Sequence, residues 1–261
     1  MSTNHINESK NPVQSAERIF SVLEMLAETG PIGLMDLSMR LKLHKSTVHR
    51  LLLSLICMGY VKQEDSGKYM LTFKLVGLSE KVLARVDIVA LVHPLITELA
   101  NECRETVHFV QRRGTEVFYL DKVAPLYPRE SAIRMASQVG LARPLYCSAV
   151  GKAILAELSD DEVEYIWRNS IIEKKTEYTI TALWELKREL AVIREKGYSI
   201  DNEENELGVR CIAVCIKNHQ GLPNNAFSIS APAGRMTNER VQELSVEILK
   251  TKQAIQQVLG Y

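Results

Sequence analysis

The 261-residue sequence has no net charge, few thiols and no long apolar run. Its 32 Lys and Arg balance 32 Asp and Glu, so the whole chain has no field that attracts polyanions. The five cysteines form no C-x-x-C pair, and the N-terminus has no apolar signal segment, which fits the reducing cytoplasm. No stretch approaches the roughly 18 apolar residues of a membrane span. We therefore expect a cytoplasmic protein without a membrane partner.

Signatures of the common enzyme classes are also missing. The sequence has no H-E-x-x-H, G-x-S-x-G or G-x-G-x-x-G motif, and its small-residue stretch at 144–155 lacks the spacing of a phosphate-binding loop. No spacing of cysteine and histidine favours a nucleophile paired with a base. We predict that the protein is not an enzyme and needs no cofactor.

Residues 34–68 are the stretch around which the chain is organised. Apolar residues recur at helical spacing on both sides of a short polar break at 42–45, which is the pattern of a helix-turn-helix. Ser46 or Thr47 is expected to cap the second helix. The apolar flank of that helix consists of Val48, Leu51, Leu52 and Leu55.

Residues 60–71 follow directly and predict a β-hairpin around a polar turn at Asp65, Ser66 and Gly67. A hairpin in this place is the wing of a winged helix. Between residues 37 and 63 the sequence has Lys and Arg but no Asp or Glu, so basic charge is local even though the chain is neutral. Lys, Ser and Thr reach phosphates, whereas Arg and His reach base edges. The predicted contacts with double-stranded operator DNA are Lys42, His44, Lys45, Ser46, Thr47, His49, Arg50 and Lys68.

The rest of the chain mixes helices and strands. Helices are predicted at 13–28, 72–85 and 86–105, the last capped by Asp87 and kinked or broken at Pro94. Long hairpins rather than regular crossovers then favour an α+β domain. Its strands are predicted at 106–112, 114–123, 132–136, 198–203, 209–216 and 226–231. The predicted organisation is a polar arm at 1–12, a winged helix-turn-helix at 13–72, a linker helix at 73–86 and an α+β domain at 87–261.

Three features together resemble the IclR family of transcriptional regulators. They are the winged helix, the S-A-V-G-K-A motif at 148–153, and the D-N-E-E and G-V-R-C-I-A motifs at 201–204 and 208–213. The resemblance covers residue 13 to the C-terminus. It implies a GAF-like C-terminal domain that binds a small effector, and assembly into a homodimer or homotetramer. Repression is the commoner behaviour in that family.

The resemblance also implies where the effector binds. The family pocket uses the small-residue helix start, an aspartate and a cysteine of the later motifs, and serines on the following strand. Together with three expected wall positions, the corresponding residues are Met135, Arg143, Ala149, Val150, Asp201, Val209, Cys211, Ser228 and Ser230.

The chemistry of these residues favours a small organic acid. Ser228 and Ser230 lie two apart on a predicted strand and therefore face the same side. Free N–H groups at a helix start can hold a carboxylate, while Asp201 can accept hydrogen bonds from ligand hydroxyls. Since few aromatic residues line the predicted pocket, a sugar acid is favoured over an aromatic acid. His108 is interpreted as a structural residue.

The sequence thus predicts a DNA-binding regulator, acting as the repressor of a catabolic operon under the control of a sugar acid. The alternative is a metal-responsive winged-helix regulator. It would use Cys103, His108, Cys211 or the acidic residues after Asp201, but these lack the paired spacing of zinc ligands.

Overall fold

The computed structural model divides the chain into two compact units, Met1–Val86 and Asp87–Tyr261. The predicted arm at 1–12 and the predicted strand at 132–136, which contains Met135, lie outside the residues that the structure describes. The described residues are 13–83, 87–127, 137–218 and 220–260.

The first unit is a winged helix-turn-helix, as predicted. Its core is built from the inward faces of the three leading helices, and Leu37, Val48 and Leu52 are completely buried there. This core needs all three helices because each has a single apolar stripe. The elements are α1 (Gln14–Thr29), α2 (Leu34–Leu41), α3 (Lys45–Cys57), the antiparallel hairpin of β1 (Val61–Gln63) and β2 (Tyr69–Leu71), and α4 (Lys74–Leu83).

The predicted cap of the second helix of the motif is wrong. Helix α3 begins at Lys45, so Ser46 and Thr47 lie in its first turn, and the N-cap residue His44 makes no side-chain cap bond. The preceding turn is held from the other side, since the Ser38 hydroxyl donates to the Leu43 carbonyl oxygen over 2.5 Å. A cap from α2 thus closes the turn.

The second unit is an α+β domain built on one antiparallel sheet of six strands, in the order β5-β4-β3-β8-β7-β6. Helices cover both faces of this sheet. Its elements are α5 (Ile88–Cys103), β3 (Thr106–Arg113), β4 (Glu116–Val123), β5 (Ala142–Pro144), α6 (Ala149–Ala156), α7 (Asp160–Arg168), α8 (Leu183–Lys196), β6 (Ser199–Asn202), β7 (Val209–Lys217), β8 (Pro223–Pro232) and α9 (Asn238–Leu259).

Strand alternation gives the two faces of the sheet different characters. Phe109 and Phe227 face α5 and α9 in a fully apolar layer. The opposite face packs against α6 and α8, and there the register places Cys211 opposite Ser230 and Ala213 opposite Ser228. Because side chains alternate along a strand, the polar residues of three central strands meet on the α6 side.

Helix ends in this unit follow local sequence rules, with one exception. Asp87 caps α5 by accepting from the N–H groups of Val89 and Ala90, and Ser159 forms a capping box with Glu162 at the start of α7. Of the kink or break predicted at Pro94, the break is absent, and α5 runs on through the proline. Buried residues on both sides of the proline, among them Val92, Ile96 and Leu99, anchor the helix to the sheet. None of the described helices combines the length and apolar character needed to cross a membrane.

Candidate functional site

The predicted DNA-contacting side chains lie on and beside α3, away from the core. Six of them, at the turn before α3 and in its first half, are exposed: Lys42, His44, Lys45, Ser46, His49 and Arg50. Thr47 is half-buried, next to the completely buried Val48. One helix therefore presents a polar face and an apolar face, as a recognition helix requires.

The basic residues of this surface are unpaired. Within the described part of the chain, no ion pair includes Lys42, Lys45, Arg50 or any other residue of the first unit. Unpaired surface cations next to a helix can neutralise phosphates without first breaking an internal bond.

The hairpin places Lys68 directly before β2, where its side chain is exposed. The turn is closed by the Glu64 N–H, which donates to the Lys68 carbonyl oxygen over 2.8 Å, and by Gly67 at a positive φ of 78°. Only glycine adopts that backbone conformation without cost. Lys68 is thus held at the wing, beside the acidic residues Glu64 and Asp65.

In the second unit, eight of the nine predicted effector-binding residues line one cavity. The ninth, Met135, lies outside the described residues. The eight, which come from five different elements, are Arg143, Ala149, Val150, Asp201, Val209, Cys211, Ser228 and Ser230. We call this space the inner cavity.

The start of α6 forms one wall of the inner cavity. Ser148 caps the helix, accepting from the Gly151 N–H over 3.2 Å and donating to the Pro144 carbonyl oxygen over 2.8 Å. The N–H groups of Ala149 and Val150 have no acceptor in the described structure and carry the positive end of the helix dipole. Gly151 is required here, since a Cβ at this position would overlap the backbone of Leu145.

The opposite wall is held by a buried charge network. Asp201 Oδ1 accepts from the N–H groups of Glu204 and Asn205, at 2.7 and 3.4 Å. Glu204 in turn pairs with Lys152, a lysine on α6 that is only 1% exposed. Burial, together with the neighbouring Glu204, raises the pKa of Asp201 to about 7. Asp201 and Glu204 are therefore held in buried positions, although the sequence around them is acidic.

His108 is buried, as its interpretation as a structural residue expects, and it also lines the inner cavity. Its Nδ1 lies 3.2 Å from Ser230 Oγ, its Nε2 lies 2.8 Å from Ser137 Oγ, and its ring packs edge-on against Tyr119. Burial, with Lys122 and Arg143 nearby, lowers the pKa of His108 to about 3, so the ring is neutral. A neutral imidazole offers one donor and one acceptor.

A family model for the C-terminal domain of IclR bacterial transcriptional regulators matches residues 80–257, and one for the IclR helix-turn-helix domain matches residues 15–65. The chain belongs to the IclR family. It is 36% identical to the HTH-type transcriptional regulator KdgR of Escherichia coli, over 100% of this chain and 98% of that protein. It is 32% identical to the E. coli transcriptional repressor IclR, over 95% of this chain and 90% of the repressor.

The fold agrees with this membership. The crystal structure of the Thermotoga maritima IclR protein covers 95% of this chain and 99% of its own, with a TM-score of 0.64 and 31% identity. The chain is accordingly an IclR-family transcriptional regulator, and its relatives are regulators rather than enzymes.

Further residues of this IclR-family chain line the inner cavity beside the predicted ones. Five were not singled out from the sequence: Tyr119, Ser137, Ser148, Asn205 and Glu206. The cavity measures about 30 Å³, which is the volume of a single water molecule. An outer groove of about 760 Å³ shares Arg143, Asn205 and Glu206 with it. A ligand entering from the groove would therefore meet these three side chains first.

Cys103, one of the residues of the metal-responsive alternative, lies apart from the others. Cys103 lies in the layer beneath α5 and α9, where its thiol contacts the carbonyl oxygens of Ala100 and Glu105, whereas Cys211 and His108 line the inner cavity on the other face. Among the described residues, no three His, Cys, Asp or Glu side chains form a group that could hold a metal ion.

Proposed function

We propose that this IclR-family regulator is the repressor of a catabolic operon, released or recruited by a small organic acid that binds in the inner cavity. The observation that carries the proposal is the convergence of helix N–H groups, serine hydroxyls, a neutral histidine and Asp201 on one buried space. Repression is supported by the relative that is itself a transcriptional repressor. A sugar acid is the favoured effector class.

The polarity of the lining supports that class. The N–H groups of Ala149 and Val150 suit a carboxylate, which the positive end of α6 would also attract. Ser228 and Ser230 suit ligand hydroxyls, since a serine hydroxyl can both donate and accept a hydrogen bond, and His108 orients the Ser230 hydroxyl. Tyr119 is the one phenolic ring on the described wall, which leaves little surface for stacking an aromatic acid.

Asp201 sets a condition on how the ligand binds. Its Oδ1 is already taken by two N–H groups, so a ligand hydroxyl would donate to the other oxygen. A six-carbon acid also exceeds the present 30 Å³, so the lining must move apart when it binds. Such a movement is one way for a ligand to distinguish two states of the protein, as control of DNA affinity requires.

The proposed organisation is a DNA-binding domain at 13–72, a linker helix at 73–86 and an effector-binding domain at 87–261. The DNA-binding domain would contact operator DNA through the α3 surface and Lys68, and the protein would act as a cytoplasmic homodimer or homotetramer. Dimers of helix-turn-helix proteins read two half-sites one helical turn or a multiple apart, so the operator is expected to be near-palindromic.

The test is a thermal-shift screen and calorimetric titration with galacturonate and gluconate, against the neutral galactitol and the aromatic acid benzoate. A ligand that binds the folded state raises the melting temperature by mass action. We expect a shift with a sugar acid, its loss in Ser228→Ala/Ser230→Ala, and its retention in Ser245→Ala on α9. A shift with benzoate alone would contradict the proposed class, and one with zinc alone would favour the metal-responsive alternative.

A further inference from the structure

A third concave surface lies along the outermost strand of the sheet, between β6 and α8. This edge groove measures about 420 Å³, within the usual range of roughly 300 to 1,000 Å³ for small-molecule sites. It shares no lining residue with the inner cavity or the outer groove. Its polar and aromatic lining includes Tyr178, Glu189, Lys196, Tyr198, Glu204 and Arg210.

Two buried polar atoms point to a ligand here. In the described part of the chain, only Glu204 Oε2 and Arg210 Nε are buried side-chain atoms without a hydrogen-bond partner, and both residues line the edge groove. Glu204 is only 5% exposed, and its other oxygen is held by Lys152. Since nearly all buried polar atoms in folded proteins are paired, two exceptions in one groove require an explanation.

The two carboxylates that line the groove have a cationic partner, whereas its two cations have no carboxylate partner among the described residues. Glu204 and Glu189 share the buried ammonium of Lys152. The guanidinium of Arg210 instead donates to two neutral oxygens, the Met236 carbonyl at 2.6 Å and Asn238 Oδ1 at 2.7 Å. Lys196 is exposed and forms no ion pair with a described residue. Two cations without carboxylate partners favour an anionic ligand.

The remaining lining is apolar or aromatic. It includes Ile180, Val192, Ile193 and Ile200 together with the rings of Tyr178 and Tyr198. Such a surface suits the hydrocarbon or aromatic part of a ligand, which gains free energy by leaving water.

We propose that the edge groove binds a small hydroxy- or amino-substituted carboxylate with an apolar body. The carboxylate is bound by Arg210 Nε and Lys196, and the hydroxyl or ammonium group donates to Glu204 Oε2. The apolar body lies against the two tyrosines. This site is separate from the inner cavity, and its ligand differs from a sugar acid in having an extended apolar surface.

The probe is 4-hydroxyphenylacetate, titrated calorimetrically into the full-length protein. Two analogues each lack one group: phenylacetate lacks the donor, and 4-hydroxyphenylethanol lacks the carboxylate. Hydrogen bonds that involve a charged group contribute about 1.5 to 3 kcal/mol, so each analogue is expected to bind at least about tenfold more weakly. Equal binding of all three compounds, or no binding of the probe at millimolar concentration, would overturn the proposal.

Variants locate the site. Arg210→Met is expected to weaken the probe by about tenfold or more, and Lys196→Gln by about two- to fivefold, the range for an exposed charge. Lys250→Gln, an exposed lysine on α9, is the matched control and should leave the affinity unchanged. If Arg210→Met fails to fold, the affinity of Lys196→Gln for the probe tests the site by itself. Probe binding that depends on Ser228 and Ser230, and not on Lys196, would place the ligand in the inner cavity and overturn the assignment.

Discussion

The functional charged side chains of the two units differ in exposure and in pairing. In the first unit the basic residues around α3 are exposed, and no ion pair among described residues includes them. In the second unit Lys152, Glu204 and Asp201 are buried and bonded to one another or to the backbone. Unpaired charges on a surface are available to bind an external partner of opposite charge. In the buried network the charges are instead paired within the protein, and they fix the shape of the inner cavity.

The difference predicts that charge removal destabilises the second unit but weakens only binding in the first. Lys152→Met has the largest expected effect, because it leaves Glu204 buried without its partner. Breaking a buried pair in this way costs about 3 to 5 kcal/mol of unfolding free energy. Both tryptophans, Trp167 and Trp184, lie in the second unit, so urea denaturation followed by their fluorescence reports on that unit.

The control for Lys152→Met is the double variant Lys152→Met/Glu204→Leu, which removes both charges and should recover much of the loss. If the single variant lost no more stability than the double variant, the ion pair would not hold the segment after β6. Buried charge would then not stabilise the second unit, and the proposed difference between the two units would not hold.

A second prediction concerns the backbone that carries this network. Gly151→Ala places a Cβ against the backbone of Leu145, which cannot move aside like a flexible side chain. We expect the second unit to lose about 1 to 3 kcal/mol of stability, again by tryptophan fluorescence. Gly234→Ala is the matched control, since it lies in the same unit and a Cβ there meets nothing within 4 Å. An unchanged stability in Gly151→Ala would mean that α6 can shift away from Leu145.

The third prediction tests the exposed, unpaired basic residues of the first unit. Arg50→Ala is expected to weaken specific operator binding by about 1 to 3 kcal/mol and to relax base preference, with no loss of folding stability. Fluorescence anisotropy with operator and random duplexes measures both effects. Equal losses on the two duplexes would remove Arg50 from base readout and leave it as a phosphate contact.

The fourth prediction concerns pH. The pKa of Asp201 is about 7 in the folded state against an ordinary 3.8, so the folded state binds more protons than the unfolded state between those values. Stability of the second unit should therefore fall as pH rises through that window. Asp201→Asn keeps the Oδ1 acceptor but cannot ionise, so its stability should depend less on pH. Urea midpoints at about pH 5 and pH 8 measure the slope, and an equally steep slope in the variant would assign the effect to another group.

Local patterns of the sequence predicted the local structures well. The helix-turn-helix, the wing and the cap at Asp87 all depend on neighbours a few residues apart. The α3 cap was wrong because the turn is held by Ser38, whose partner Leu43 is set by the turn itself. Of the two outcomes predicted at Pro94, the break does not occur, because the packing of α5 on the sheet outweighs the lost backbone bond.

The residues of the inner cavity show the same difference between local sequence patterns and long-range packing. Residues in recognisable motifs, such as Ala149, Asp201 and Cys211, line it, and their role in effector binding stays a prediction. His108 was missed because its role depends on strand register, which pairs it with Ser228 across 120 residues of sequence. A polar residue between Val107 and Phe109 was the available signal. Only the order of strands in the sheet could turn it into a prediction.

The smallest expected effect belongs to Lys68 at the wing. Its side chain is exposed, so it can add a phosphate contact without reading a base. Lys68→Ala should weaken operator and random DNA alike, and should lower the slope of log affinity against log salt by about one. Lys250→Ala in the second unit is the control and should leave the slope unchanged. An unchanged slope in Lys68→Ala would mean that the wing does not reach the phosphate backbone. The basic residues that contact phosphates would then be only those on the surface around α3.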